Sequence, residues 1–160
     1  MIKWIEREKP VSVEELLLIE KKAGLKFPKD FLEWYLKYVG LEESTHIKLN
    51  GEFYELVNIL FPSQIENMVE EILEEDDEII RDKGVMMVPF AQDSALEQYC
   101  FYGSIGKEPS GIIYIHRANF MEEIFDGGRI KKSNWISDTF TEFIHLFTEH
   151  AVDEDELDSI

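Results

Sequence analysis

The stretch GLKFPKDFLEWYLKYVG, Gly24 to Gly40, decides how the rest of the chain is read. Pro28 suits the first turn of a helix, where its missing N–H has no intrahelical partner, and Asp30 in that turn complements the helix dipole. Phe27, Phe31, Trp34, Tyr35, Tyr38 and Val39 then recur three or four residues apart, with Lys29, Glu33 and Lys37 at a similar interval elsewhere on the helix. An apolar stripe backed by charge predicts a helix that closes at Gly40 and buries its aromatics in a core; an aromatic surface gripping a ligand is the lesser reading.

Upstream, Ser12 and Glu15 have capping-box spacing, Val11 can staple to Leu16, and Leu16, Ile19 and Ala23 follow at helical intervals until Gly24 stops the helix. Downstream, Asn50-Gly51 between Ile47, Leu49 and Phe53 predicts a two-residue β-hairpin. Ser63 and Glu66 repeat the capping-box spacing, and Ile65, Met68, Val69, Ile72 and Leu73 form the stripe of a third helix, which the run EEDDEIIRDKG loosens before Gly84. VMMVPF, EQYCFYG and GIIYIHR read as strands, with Pro89 at an edge or a strand end. Asp126-Gly127-Gly128 marks a turn, and Thr139 with Glu142 caps a final helix whose apolar face is Phe140, Phe143, Ile144 and Phe147. There is no internal repeat and no low-complexity linker, so residues 1–152 read as a single α+β domain with an N-terminal helix pair, a sheet, an acidic middle helix and a C-terminal helix. Residues 153–160 read as an acidic, frayed tail.

The chain has 160 residues, enough to bury a sizeable core without a metal or disulfide staple, and Cys100 is its only cysteine. Its start, MIKWIEREKP, carries no apolar signal-peptide core, and no segment approaches the roughly twenty apolar residues of a membrane span. The expectation is a soluble, cytoplasmic protein. Sixteen Lys and Arg against 34 Asp and Glu give a formal charge of −18, which repels phosphate backbones and anionic membranes. No nucleic acid and no membrane is expected as a partner.

Chemistry is sparse. GSIGKEPS fails as a phosphate loop, because two residues separate Gly103 from Gly106 and Glu108 stands where Ser or Thr should follow Lys107; a polar turn explains it. His46, His116, His145 and His150 are scattered, and only His145 with Glu149 has helical i, i+4 geometry, too few ligands for a metal site. Asp76, Asp77 and Glu78 lack the alternating ligands and central glycine of a calcium loop. Ser94, Ser104, His116 and Asp93 have no nucleophile-elbow context, Cys100 reads as an inert core thiol, and Asp93 as an acceptor of local backbone N–H groups. No catalytic, cofactor-binding or metal-binding residue is assigned, and no cofactor is expected.

What remains is patterned acid. Glu70 to Asp82 holds eight carboxylates against Arg81 alone, and Glu149 to Asp158 holds six more. Glu70, Glu71, Glu74, Glu75, Asp76, Asp77 and Glu78 form the candidate partner-binding face, an electrostatic dock for a basic protein. The competing reading is a solvated helix face and a frayed tail.

Taken in order, SVEELLLIEKKAG, LKFPKDFLEWYLKYVG, VMMVPFAQDSALEQYCFY with GIIYIHR, and NWISDTFTEFIHLF resemble the SUKH superfamily over Val11 to Phe147. The matching positions are Glu20 late in helix one, Phe27-Pro28 entering helix two, Trp34 and Tyr35 in its aromatic run, Val39-Gly40 after it, and Phe140 with Phe143 in the closing motif. Phe27 replaces a leucine, and Val39-Gly40-Leu41 lacks the usual Asn and second Gly. The resemblance implies a twisted, largely antiparallel sheet packed by helices and a function exerted by binding, not catalysis. It also implies a protein partner, a basic toxin domain such as a nuclease, neutralised by an immunity protein whose carboxylates stand in for phosphate. The alternative it carries is a regulatory scaffold similar to the fungal cell-wall-assembly and glucan-synthesis regulators.

Overall fold

The structure is a computed structural model that describes residues 3–116 and 121–152. Its elements run β1 (Trp4–Glu6), α1 (Val13–Ala23), α2 (Lys29–Lys37), β2 (Tyr38–Leu41), β3 (Thr45–Leu49), β4 (Glu52–Leu56), β5 (Asn58–Ile59), α3 (Pro62–Glu75), α4 (Asp77–Lys83), β6 (Val85–Gln92), β7 (Gln98–Ser104) and β8 (Gly111–Ile115). After a short 3₁₀ turn come β9 (Phe125–Asp126), β10 (Arg129–Ile130), β11 (Trp135–Ser137) and α5 (Phe140–Glu149). The acidic tail of residues 153–160 lies outside the described residues.

Local chemistry sets several boundaries. The Ser12 hydroxyl accepts the Glu15 N–H at 3.3 Å and Gly24 closes α1 at φ 76°, while the Thr139 hydroxyl accepts the Glu142 N–H at 3.1 Å to open α5. Asn50 at φ 53° and Gly51 at φ 83° turn the β3–β4 hairpin in the left-handed conformations that a two-residue loop requires. Its inward residues are Ile47, Tyr54 and Leu56; Phe53 lies opposite Lys48 and is only half-buried.

β5, β6, β7, β8 and β11 pair antiparallel, each with its sequence neighbour in the sheet, in the spatial order β11-β8-β7-β6-β5. One face carries Phe90, Tyr99 and Phe101 into an aromatic cluster with Phe31 of α2 and Phe140, Phe143 and Phe147 of α5; Phe90 and Phe101 stack at 4.2 Å and Phe31 meets Phe101 at 5.0 Å. Tyr35 lies wholly buried beside Phe31 and donates to the Leu60 carbonyl at 2.7 Å, and burial pushes its phenol up to about 12 against the opposing pull of Arg7. Glu20 accepts the Phe27 N–H at 2.7 Å, so the α1–α2 connection is held by a carboxylate. The aromatic run of α2 is a core stripe, with Trp34 partly exposed and its indole N–H buried without a hydrogen-bond partner among the described residues.

Other boundaries differ from the sequence reading. α2 ends at Lys37, three residues before Gly40, because Tyr38–Leu41 leaves the helix to pair with β1. Gly40 is therefore a buried strand residue, and Pro28 sits at the N-cap, just outside the first turn. α3 is capped by Phe61, whose N–H donates to Gln64 at 2.8 Å, instead of by Ser63 and Glu66; Glu66 is taken by Lys22 of α1. The acidic run does not loosen α3 but starts a new helix, α4, braced by Asp77–Arg81 at 2.8 Å and closed by Gly84 at φ 65°. Pro89 lies inside β6, at a bulge between Pro89 and Ala91, where the missing N–H leaves no gap in a regular ladder.

Candidate protein-binding groove

α3 packs against α1 and β6 through Ile65, Val69 and Ile72. With those three residues fixed inward, 100° per residue spreads the carboxylates over different sides of the helix. Glu66 and Glu70 fall on the α1 side, where Lys22 Nζ bridges both at 2.8 and 2.6 Å and is held above its ordinary 10.5 by those hydrogen bonds, Glu66 first. Glu74 points to solvent. Glu71 and Glu75 fall on the opposite side, and with Asp76 they border a groove of about 360 Å³ between α3 and the sheet. The seven candidate residues thus do not share one face. Glu70 and Asp77 already have partners in Lys22 and Arg81, whereas Glu71, Glu74, Glu75 and Glu78 form no ion pair with a described residue.

The groove is built from side chains the acidic pattern does not reveal. Asn67 and Met68 join the glutamates on the helix wall. The sheet wall is Met87, Gln92, Gln98 and Ile115, brought to one face by the register Gln92↔Gln98 and Gln98↔Ile115. Gln98 Nε2 donates to Met68 Sδ at 3.4 Å, which turns its amide oxygen away from that sulfur. Gln92 is only 8% exposed, and its side-chain amide has no hydrogen-bond partner among the described residues. Gln92 ends β6 and Gln98 begins β7, one on each side of the turn between them.

Beside the groove, the β6–β7 turn is set by Asp93. Its carboxylate accepts the Ala95 and Glu97 N–H groups at 2.9 and 3.0 Å and the Tyr114 hydroxyl at 2.6 Å. Burial and the Asp93 charge hold the Tyr114 phenol well above its ordinary value, so it stays a donor. Glu55 accepts the Ser94 N–H at 2.8 Å and meets His46 at 3.1 Å. Burial acts to raise the Glu55 carboxyl, but hydrogen bonds from Ser94 and the charge of His46 outweigh it and hold the group below 4.5.

The remaining sequence candidates are spread through the fold. Cys100 is fully buried and burial pushes its thiol far up, away from the nucleophilic thiolate. His145 faces Glu149 at 3.4 Å on the surface of α5, and His116 lies 3.8 Å from Glu97. Among the described residues no three His, Cys, Asp or Glu side chains gather as a metal-binding set. The Gly103–Ser110 turn is docked against the α1–α2 connection by a Gly106 N–H to Gly24 carbonyl bond of 2.6 Å, leaving its backbone occupied by protein.

Fold and groove together describe an α+β protein with a carboxylate-edged cleft between its middle helix and its sheet. Residues 10–145 match the SMI1 / KNR4 family (SUKH-1), and the chain belongs to that family of immunity and regulatory proteins. No curated protein and no solved structure matches the chain. No helix among the described residues is long and apolar enough to cross a membrane.

Proposed function

We propose that the chain is a cytoplasmic immunity protein that neutralises a basic toxin domain, a nuclease being the best chemical fit, by stoichiometric binding without turnover. The observation that supports it is the uneven neutralisation of α3. Lys22 occupies one side of the helix, while Glu71 and Glu75, with no ion pair to a described residue, border a concave surface. A nuclease grips phosphate with a positive cleft, and carboxylates presented on a rigid helix next to a groove can occupy that cleft in place of the substrate.

Co-expression with a basic toxin domain, taken from the neighbouring gene where that gene encodes one, tests this reading. The double substitution Glu71→Lys/Glu75→Lys should abolish protection and weaken binding at low salt by about a hundredfold, as loss of complementary charges becomes repulsion. Glu42→Lys/Glu43→Lys makes the same change in net charge at exposed residues of the β2–β3 connection and should retain protection. Equal behaviour of the two doubles would sink the docking face. Capture of several large signalling or synthase proteins, with no toxin, would favour the regulatory scaffold.

A further inference from the structure

The groove has more specific chemistry than its charge. Its polar lining combines the Glu71 and Glu75 carboxylates, which only accept, with side-chain amides that both donate and accept. Glu71 and Glu75 stand one helical turn apart on α3, and neither has a partner among the described residues. Across from them, one N–H of Gln98 Nε2 goes to Met68, and its amide oxygen is an acceptor that an incoming donor can meet. Gln92 is held nine-tenths buried with both ends of its amide unpaired, in a protein where Trp34 Nε1 is the one fully enclosed side-chain polar atom without a partner among the described residues. A largely buried amide that faces the groove and has no hydrogen bond from a described residue is a ready receptor for an incoming group that supplies those bonds. Between these acceptors lie Met68, Met87, Ile72 and Ile115, an adaptable apolar floor.

We infer that the groove receives a single arginine side chain of the protein partner, a deepening that rests on the reading proposed above. A guanidinium carries five N–H donors in a planar fork, enough to meet a glutamate pair on one wall and amide oxygens on the other, while its methylene stem lies on the methionines. Lysine offers three donors around a point charge and leaves the amide wall unmet. Arginine is also the charged residue most often used as an interface anchor in a desolvated pocket. The source is a protein and not free arginine, because the α-carboxylate of the free amino acid would approach Glu71 and Glu75 with like charge.

The test is an amide-detected NMR titration of the whole chain with N-acetyl-L-arginine amide. Saturable shifts should concentrate on the Gln92 and Gln98 side-chain amides, with a dissociation constant on the order of millimolar for so small a probe. N-acetyl-L-lysine amide should bind at least about threefold more weakly, because it lacks the planar donor fork. Free L-arginine should also bind more weakly than the capped form. Gln92→Met keeps the side-chain length and removes the amide, and it should weaken the arginine probe about tenfold. An unchanged melting temperature shows that this loss is not unfolding. Glu71→Gln/Glu75→Gln should remove binding without a reversal of charge. The inference is overturned if the shifts never saturate, if they spread evenly along the outer faces of α3 and α4, or if the lysine probe binds as well as the arginine probe. Free L-arginine binding more tightly than the capped probe would equally overturn it, in favour of a metabolite site. These outcomes are independent of the co-expression assay. A silent titration with intact toxin protection removes the arginine pocket alone, and a positive titration with no toxin protection removes the immunity reading alone.

Discussion

A β-carbon built on Gly111 would stand 2.1 Å from Cζ2 and 2.4 Å from Cη2 of Trp135, whose indole lies across β8 and donates to Asp138 at 2.9 Å. Gly111→Ala must displace that ring and should destabilise the protein by about 1–3 kcal/mol. Gly40, by contrast, has an ordinary strand conformation, and an added β-carbon would meet Ile59 at an unstrained 4.0 Å. Gly40→Ala should therefore change stability by no more than about 0.5 kcal/mol in urea unfolding, far less than a helix-capping glycine would. The outcome separates the strand from the helix cap that the spacing of Gly40 suggested. Cys100 permits a third test, since the thiol has no access to reagent in the folded state. Labelling by iodoacetamide should follow the rate of global opening and cease to depend on reagent concentration at high reagent. Cys100 was legible as a core residue from the usual burial of a free thiol, its strand alternation leaving either face open; the buried Trp34 N–H without a partner among the described residues was not, because nothing in the α2 pattern distinguishes Trp34 from Phe31.

At the scale of elements, what could be read from the sequence was what depends on neighbours three or four residues away. Ser12, Thr139 and Asn50-Gly51 act on backbone within their own turn, and the boundaries they announce are the observed ones. Glu66 was misread because its partner, Lys22, is 44 residues distant, and Gly40 because the strand that claims Tyr38–Leu41 lies near the N-terminus. Asp30 is a mixed case: it opens α2 as expected, but its other oxygen also accepts the Thr141 N–H and hydroxyl at 2.9 and 2.8 Å, joining the starts of two helices. Asp30→Ala should cost about 1–2 kcal/mol in thermal unfolding, the loss of a cap. The hairpin and the β6–β7 turn are joined in the same way through Glu55. Its carboxyl is depressed in the folded state, so the stability it contributes is present above 4.5 and is lost as the pH falls through the lower folded value. Melting temperatures of the native protein and Glu55→Gln should therefore differ at neutral pH and converge in acid. A difference that stays constant across that range would show that Glu55 acts only by its size.

Across the whole molecule, a charge of −18 makes partner association a salt-dependent event. At ionic strengths near 0.01 M the screening length is about 30 Å, and near 0.15 M about 8 Å, so a basic partner should associate at least about tenfold more slowly across that interval. Its dissociation should change much less, because the contacts that hold it are short-range. Salt acting mainly on dissociation in stopped-flow measurements would place the charge inside the contact itself. The fold class was legible in the chain because helix and strand periods alternate with clear turns. The groove was not: its two glutamines are six residues apart in sequence and become one wall only when β6 and β7 pair, and its glutamates look identical to Glu70 until Lys22 is placed. The sheet's order has a kinetic consequence. Every strand in it pairs with its sequence neighbour in the sheet, and β6–β8 fold back through short turns, so this meander can zip together at low loop-closure cost. The seam from Thr45 to Phe147 and from Val152 to His46 spans about a hundred residues and must close afterwards. Assembly should accordingly proceed from the centre of the sheet outward, with the C-terminal helix the last part to lock and the first to exchange its amide hydrogens.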